Sequence, residues 1–395
     1  MLPDHFDRAL DQVLEDRRKA HQLRSRSELH PIDSTHVRIG DRIFTNFASN
    51  NYLGLTHHPA IRAAIDETLR FGAGSAAAGL ISGYTDLHRD AEQTIARWKQ
   101  TEAAVLLPSG YQANLAAVQT LASLGEGSGS VRFLVDKLAH ASLIDAVRAT
   151  RAEMRIFPHN HLPKLRRLLQ DADAKQMQVV LTESIFSMDG DAADLAGLSH
   201  IKKELPFVLL LDEAHGSGVY GKNGAGYAAE CGLQEIVDIS IVTLSKALGC
   251  IGGAVCASQR FCDALLNVGR AYIYSTSVPP MLAAAAKRAV EICGQEPQRQ
   301  ERVQALARRV RQALSSIGLS IPPGDSPIVP LIMGDESRAL RGAELLRERA
   351  LLVVAVRPPT VPRGLSRLRI TLSCDHTDDE IETMVKQVKE CSMGF

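Results

Sequence analysis

Ile239-Ser-Ile-Val-Thr-Leu-Ser-Lys246-Ala-Leu-Gly249-Cys-Ile-Gly-Gly253 is an apolar run of strand length that ends in hydroxyls, a lysine and a glycine-rich turn. A lone lysine after a strand is usually an ordinary solvated side chain. This one has company, because several other apolar runs end in the same way. Phe207-Val-Leu-Leu-Leu-Asp212-Glu-Ala-His215-Gly-Ser-Gly218 ends in charge, and Val131 to Val135 leads into Asp136-Lys-Leu-Ala-His140. Val179-Val-Leu-Thr-Glu183 runs into Ser-Ile-Phe-Ser187-Met-Asp-Gly190. With Ala103–Leu107, Arg155–Phe157 and Gly253–Ala257 added, seven strand candidates alternate with helical patterns between about 45 and 280. Such alternation predicts an α/β fold, with a mainly parallel central sheet and helices on both faces. Ligands in that architecture bind at the carboxyl ends of strands, where these polar residues stand.

A strand ending in Asp212-Glu-Ala-His215 is also how a nucleotide hydrolase presents a magnesium-binding acid. That reading requires an upstream G-x-x-x-x-G-K-[ST] loop, and no segment supplies one. Leu106-Leu-Pro-Ser-Gly110-Tyr111-Gln-Ala-Asn114 breaks at Ser-Gly and continues as a helix through Leu115, Val118 and Leu121. The free N–H groups of that helix start suit a phosphate ester. An amine, a carboxylate, a flat imidazole, hydroxyls and a phosphate-binding helix start are together the equipment that holds pyridoxal 5′-phosphate (PLP).

The ordered motifs resemble the α-oxoamine synthases of the fold-type I PLP-dependent transferases. They are Asn50-Asn-Tyr-Leu-Gly-Leu55, Ile81-Ser-Gly-Tyr84, Ser109-Gly110, His140-Ala-Ser-Leu143, Phe186-Ser-Met-Asp-Gly190, Asp212 to Gly216, Thr243 to Lys246, Tyr274-Ser-Thr-Ser-Val-Pro-Pro280 and Arg357-Pro-Pro-Thr-Val-Pro362. The resemblance implies that Lys246 binds the cofactor aldehyde and then serves as base, and that Asp212 pairs with the pyridine nitrogen. It implies that His140 stacks on the ring and polarises the thioester carbonyl, with Ser187 and His215 near the ring's phenolic oxygen. Gly110, Tyr111 and Thr243 are expected to hold the phosphate, joined by Thr276 and Ser277 from the second subunit of a homodimer. Arg369 is expected to bind the amino-acid carboxylate, with Arg24, His140 and Thr360 on the acyl substrate.

Within the family, Arg357-Pro-Pro-Thr360-Val-Pro362 points to the member that condenses L-alanine with pimeloyl-CoA, or a pimeloyl carrier protein, in biotin biosynthesis. A 2-amino-3-ketobutyrate CoA ligase and a catalytically silent partner subunit are the alternatives. Where relatives carry a Ser-Gly-Gly-[Ser/Thr]-Arg type run, this chain has Gly74-Ser75-Ala-Ala-Ala78-Gly79-Leu80, which bears on the acyl-substrate entrance.

The 395 residues suffice for more than one domain, expected as an N-terminal segment 1–44, a large cofactor-binding domain 45–280 and a smaller α+β domain 281–395. Phe6, Leu10, Val13 and Leu14 predict a packed N-terminal helix, residues 125–129 a loop, and 281–316 one long helical stretch. C-terminal strands are expected near Ile328–Ile332, Leu351–Ala355 and Leu368–Leu372. Basic and acidic residues balance at 45 each, which steers the chain to neither nucleic acid nor an anionic membrane. The polar start and the absence of a long apolar run predict a cytoplasmic protein. Seven scattered cysteines without a C-x-x-C pair read as reduced thiols, mostly core fillers, with no metal site.

Overall fold

The computed structural model describes residues 4–125, 130–173 and 175–392, so most of the loop expected at 125–129 lies outside the described residues. The first helix is Asp4–Lys19. The expectation that it packs is corrected, because Phe6, Leu10, Val13 and Leu14 are 44–58% exposed. Helical spacing of apolar residues defines a face but not what covers it. Three short strands follow, β1 (His30–Pro31), β2 (His36–Ile39) and β3 (Arg42–Asn46), paired antiparallel.

All seven apolar runs between 103 and 257 are strands: β4 (Ala103–Leu107), β5 (Val131–Asp136), β6 (Glu153–Phe157), β7 (Met177–Glu183), β8 (Val208–Asp212), β9 (Ile239–Thr243) and β10 (Gly253–Ala257). They form one sheet in the order β4-β10-β9-β8-β7-β5-β6. Pairing is parallel from β9 to β6, and only β10 runs against its neighbours. Successive residues enter opposite faces. Val179, Leu181 and Leu210 pack with the helix Gly110–Ser123, while Val180, Leu209 and Leu211 pack with the helices Leu162–Gln170 and Leu195–Glu204. With both faces covered, the middle positions of these strands are mostly apolar, which is why they read as continuous runs. Each fully buried Leu or Val contributes roughly 1.5–3 kcal/mol.

The chain forms two units, Asn50–Ala305 with Gly324–Ser326, and Met1–Ser49 with Leu306–Pro323 and Pro327–Phe395. The helical stretch expected over 281–316 is two helices, Pro280–Gln295 and Gln298–Ser316. Pro297 lacks an N–H and pushes Glu296 out of the helical region, to φ −126° and ψ 58°. In the smaller unit, β11 (Ile328–Gly334), β13 (Val354–Val356) and β14 (Ser366–Thr371) make an antiparallel sheet in the order β11-β14-β13. The single strand expected near 351–355 divides at Val353. Its first part, β12 (Leu351–Leu352), pairs parallel with β3 instead.

His376 belongs to the core of that unit. Its ring stacks on Phe47, with centroids 4.3 Å apart, and its Nδ1 accepts the Ser373 N–H at 2.9 Å. Burial pushes its pKa down to about 4 against the pull of Glu380. The unfolded chain titrates near about 6.5, so it binds the proton first as pH falls. The stabilisation is therefore complete above about pH 6.5 and lost as pH falls through about 4, an effect of order 3 kcal/mol. Urea unfolding at pH 7 and pH 4 is expected to show this loss in the wild type and a smaller one in His376→Gln.

Candidate active site

Because β5, β7, β8 and β9 run parallel, their last residues meet along one edge of the sheet, with Glu183 and Asp212 in register on adjacent strands. Asp212 is buried, its Oδ1 accepting the Ala214 N–H at 3.0 Å and its Oδ2 the Asn114 side-chain amide at 2.7 Å. Asn114 also donates to Ser142 Oγ at 2.8 Å. The sequence reading assigned no role to Asn114. Its signal was a polar residue on an otherwise apolar, fully buried helix face.

His140 caps the helix Ala141–Thr150, with Nδ1 accepting the Ser142 N–H at 3.2 Å and lying 2.7 Å from Ser142 Oγ. Burial lowers its pKa, Asp212 acts to raise it, and Lys246 lowers it further. The structure thus brings His140, Asp212 and Lys246 within electrostatic reach of one another.

Lys246 stands in the turn after β9, where Gly249 takes φ +63° and a Cβ would lie 2.5 Å from the Thr56 nitrogen. Lys246 Nζ is 2.7 Å from His215 Nε2, and His215 Nδ1 is 2.6 Å from Tyr52 Oη. Tyr52 donates its own proton to Asn50 Oδ1 at 3.1 Å. Asn50, Tyr52, His215 and Lys246 thus form one hydrogen-bonded chain that ends at the lysine amine. Sequence alone marks no role for Tyr52 or Asn50, since Tyr52 meets His215, 163 residues away.

The helix Gly110–Ser123 begins beside β9, its first turn capped by Ser109 Oγ, which accepts the Gln112 N–H at 3.1 Å. A Cβ on Gly110 would come 2.1 Å from Thr243 Oγ1, and one on Gly253 would come 2.7 Å from the Gly110 nitrogen. Only glycines let the free N–H groups and the Thr243 hydroxyl converge so closely, and that donor set suits a phosphate. Tyr111 reaches Asp145 Oδ2 through its hydroxyl at 3.1 Å.

Ser187 is buried in the turn after β7. Its backbone N–H and that of His140 act to lower the pKa of the Glu183 carboxylate, a buried group that the sequence alone does not mark. Burial and then the Asp212 charge push Glu183 well above the usual carboxylate range, against the pull of Lys246 and the two N–H donors.

Thr276 and Ser277 follow Ser275, whose Oγ accepts from Gln112 Nε2 at 2.9 Å. Their segment is zipped to the unusual 74–80 run. Ala78 bridges Thr276, the Ser277 N–H donates to the Ala77 carbonyl at 3.0 Å, and Ser75 Oγ donates to the Val278 carbonyl at 2.6 Å.

In the smaller unit, Arg369 is buried on β14 and donates to Thr371 Oγ1 at 3.0 Å. Arg24 Nη2 lies 3.4 Å from Thr360 Oγ1, so the structure joins these two distant residues. Burial, and then the Arg24 charge, lower the pKa of neighbouring Arg357, whose guanidinium donates to the His21 carbonyl.

The aminotransferase class I and II model matches residues 42–388. The chain belongs to that family. It is 42% identical to a putative 8-amino-7-oxononanoate synthase of Desulforudis audaxviator (strain MP104C), over 94% of this chain and 96% of that protein. It is 37% identical to 8-amino-7-oxononanoate synthase of Cellvibrio japonicus (strain Ueda107), over 98% and 97%. Among solved structures, one of SPT with a PLP internal aldimine matches with a TM-score of 0.92 and 28% identity, covering 98% of each chain.

Ala76 makes the departure at 74–80 testable. It is an exposed alanine at φ +56°, a conformation that costs an L-residue about 1–2 kcal/mol. Ala76→Gly, allowing for the greater freedom glycine gives the unfolded chain, is expected to raise stability by about 0.5–1 kcal/mol in urea unfolding at pH 7.

Proposed function

We propose that the protein condenses L-alanine with a pimeloyl thioester to 8-amino-7-oxononanoate, CO2 and the free thiol, a PLP-dependent acyl transfer of biotin biosynthesis. The observation that carries this reading is the convergence, at one sheet edge, of the Lys246 amine, the Asp212 carboxylate and the Gly110–Thr243 phosphate donors. Chains 37–42% identical over nearly their whole length bear that enzyme's name.

The donor set fits PLP, which when bound supplies an electron sink for the pair left behind as a bond to the amino acid's α-carbon breaks. Lys246 would hold its aldehyde, Asp212 its ring nitrogen and His140 its ring face. Ser187 and His215 would hold the phenolic oxygen. Gly110, Tyr111 and Thr243 would hold the phosphate, completed by Thr276 and Ser277 of a second copy in a homodimer. The Lys246 amine, already oriented by His215 Nε2, is the group of this chain suited to take the α-proton of L-alanine. The His140 imidazole is suited to stabilise charge that develops on the thioester oxygen. Arg369 would bind the amino-acid carboxylate, a bidentate pairing natural to a guanidinium, and Arg24 and Thr360 the acyl substrate. Among the described residues no helix is long and apolar enough to cross a membrane, and the proposed setting is the cytoplasm.

A matrix of amino acids against acyl thioesters, read by CO2 release, tests the reaction. L-Alanine with a pimeloyl thioester should exceed glycine and serine, and acetyl, succinyl and palmitoyl donors. Best turnover of glycine with acetyl-CoA would instead identify a ketobutyrate ligase, and normal PLP binding without any CO2 a silent subunit. Borohydride should fix a pyridoxyl group on Lys246, and Lys246→Ala should lose both that adduct and turnover.

Arg369→Ala should weaken L-alanine use by about 2–5 kcal/mol in kcat/KM, since it strips a charged partner from a carboxylate. Thr360→Ala should cost only about 0.5–1.5 kcal/mol, seen in the KM for the acyl donor.

A further inference from the structure

His159 follows β6, the edge strand of the large sheet, and none of the roles above includes it. Both of its ring nitrogens face carboxylates. Nδ1 is 3.0 Å from Asp136 Oδ1, and Nε2 is 2.7 Å from Asp191 Oδ2. An ionised carboxylate only accepts, so both nitrogens must carry protons and the ring is an imidazolium. Burial opposes that charge, but the two carboxylates outweigh it and lift the pKa to about 10. The ring edge packs against Phe186, with centroids 4.3 Å apart and planes at 83°.

The two carboxylates belong to the two turns that carry His140 and Ser187. Asp136 ends β5 and shapes the turn to His140, its Oδ1 accepting the Leu138 N–H at 2.8 Å and its carbonyl the Ala139 N–H at 3.0 Å. Asp191 closes the turn around Ser187, where its carbonyl accepts the Phe186 N–H at 2.9 Å and the Gly190 N–H returns to the Phe186 carbonyl at 2.9 Å. Asn160 repeats the link, donating its backbone N–H to Asp136 Oδ2 at 2.9 Å and its side-chain amide to the Ala192 carbonyl at 2.9 Å.

We propose that His159 is a positioning residue for the cofactor site: by bridging Asp136 and Asp191 it sets the separation between the His140 turn and the Ser187 turn. The inference rests on the reading of this edge as a PLP site. It assigns His159 no contact with cofactor or substrate, only the geometry of the two side chains that flank the ring.

The test uses purified full-length protein stripped of cofactor, titrated with PLP, and read by affinity and by the visible circular dichroism of the bound cofactor. His159→Phe keeps an aromatic ring against Phe186 and removes both bridges. It should weaken PLP binding about tenfold or more and diminish the visible dichroic band, while far-ultraviolet dichroism stays that of the wild type. Asp191→Asn, a smaller change at the more exposed end of the bridge, should move both readouts in the same direction by about threefold, and it decides the matter if His159→Phe does not fold. A thermal shift without change in affinity or in the visible band, in either folded variant, would mark His159 as merely structural and overturn the proposal. A wild type that binds no PLP would overturn the reading of the site itself, and this inference with it.

Discussion

Burial of both faces of a single parallel sheet is the constraint from which the rest follows. Val179 to Leu181 and Leu209 to Leu211 alternate between two apolar layers, so none of those positions can take a polar side chain without an unpaired group in the core. The polar groups of the candidate site therefore stand where the strands stop. Since β5, β7, β8 and β9 stop on the same edge, Glu183, Asp212, His140 and Lys246 come together without being near in sequence.

That edge concentrates charge in a nearly dry place, and its hydrogen bonds decide how the charge is borne. Asp212 accepts from an amide side chain and a backbone N–H, whereas Glu183, in register beside it, is driven towards its neutral form by burial and by Asp212. The Asn50–Tyr52–His215 chain ends at the Lys246 amine. A hydroxyl 163 residues from His215 in the sequence thus bears on what the lysine meets. Backbone proximity matters as much. The approach of Thr243 to the start of the helix Gly110–Ser123 tolerates no Cβ at Gly110 or Gly253.

The site's outer supports have the same logic. The loops at this edge are cross-linked by ionic and backbone hydrogen bonds. His159 and Asn160 sew the β5 exit to the turn after β7, while Ser75 and Ala77 secure the segment that bears Thr276 and Ser277. The 74–80 run reaches this arrangement with Ala76 held at positive φ.

The amino-acid sequence by itself determined the seven strands of the large sheet, their mainly parallel order and the family, because buried runs bounded by polar ends and ordered motifs are local signals. Lys246, Asp212, His140 and the Ser109-Gly110 turn could be picked out as candidates for the same reason, each standing after such a run. The sequence pattern left undetermined what covers an apolar face, hence the exposed stripe of the helix Asp4–Lys19. Nor did it separate β12 from β13, which differ only in the strand each finds to pair with. Asn114, Tyr52 and His159 find the partners described above 23 to 163 residues away, and Glu183 lies beside Asp212 of the next strand. No local pattern encodes such a partner, so only the tertiary structure could decide which polar residues of an apolar segment are structural and which serve the site.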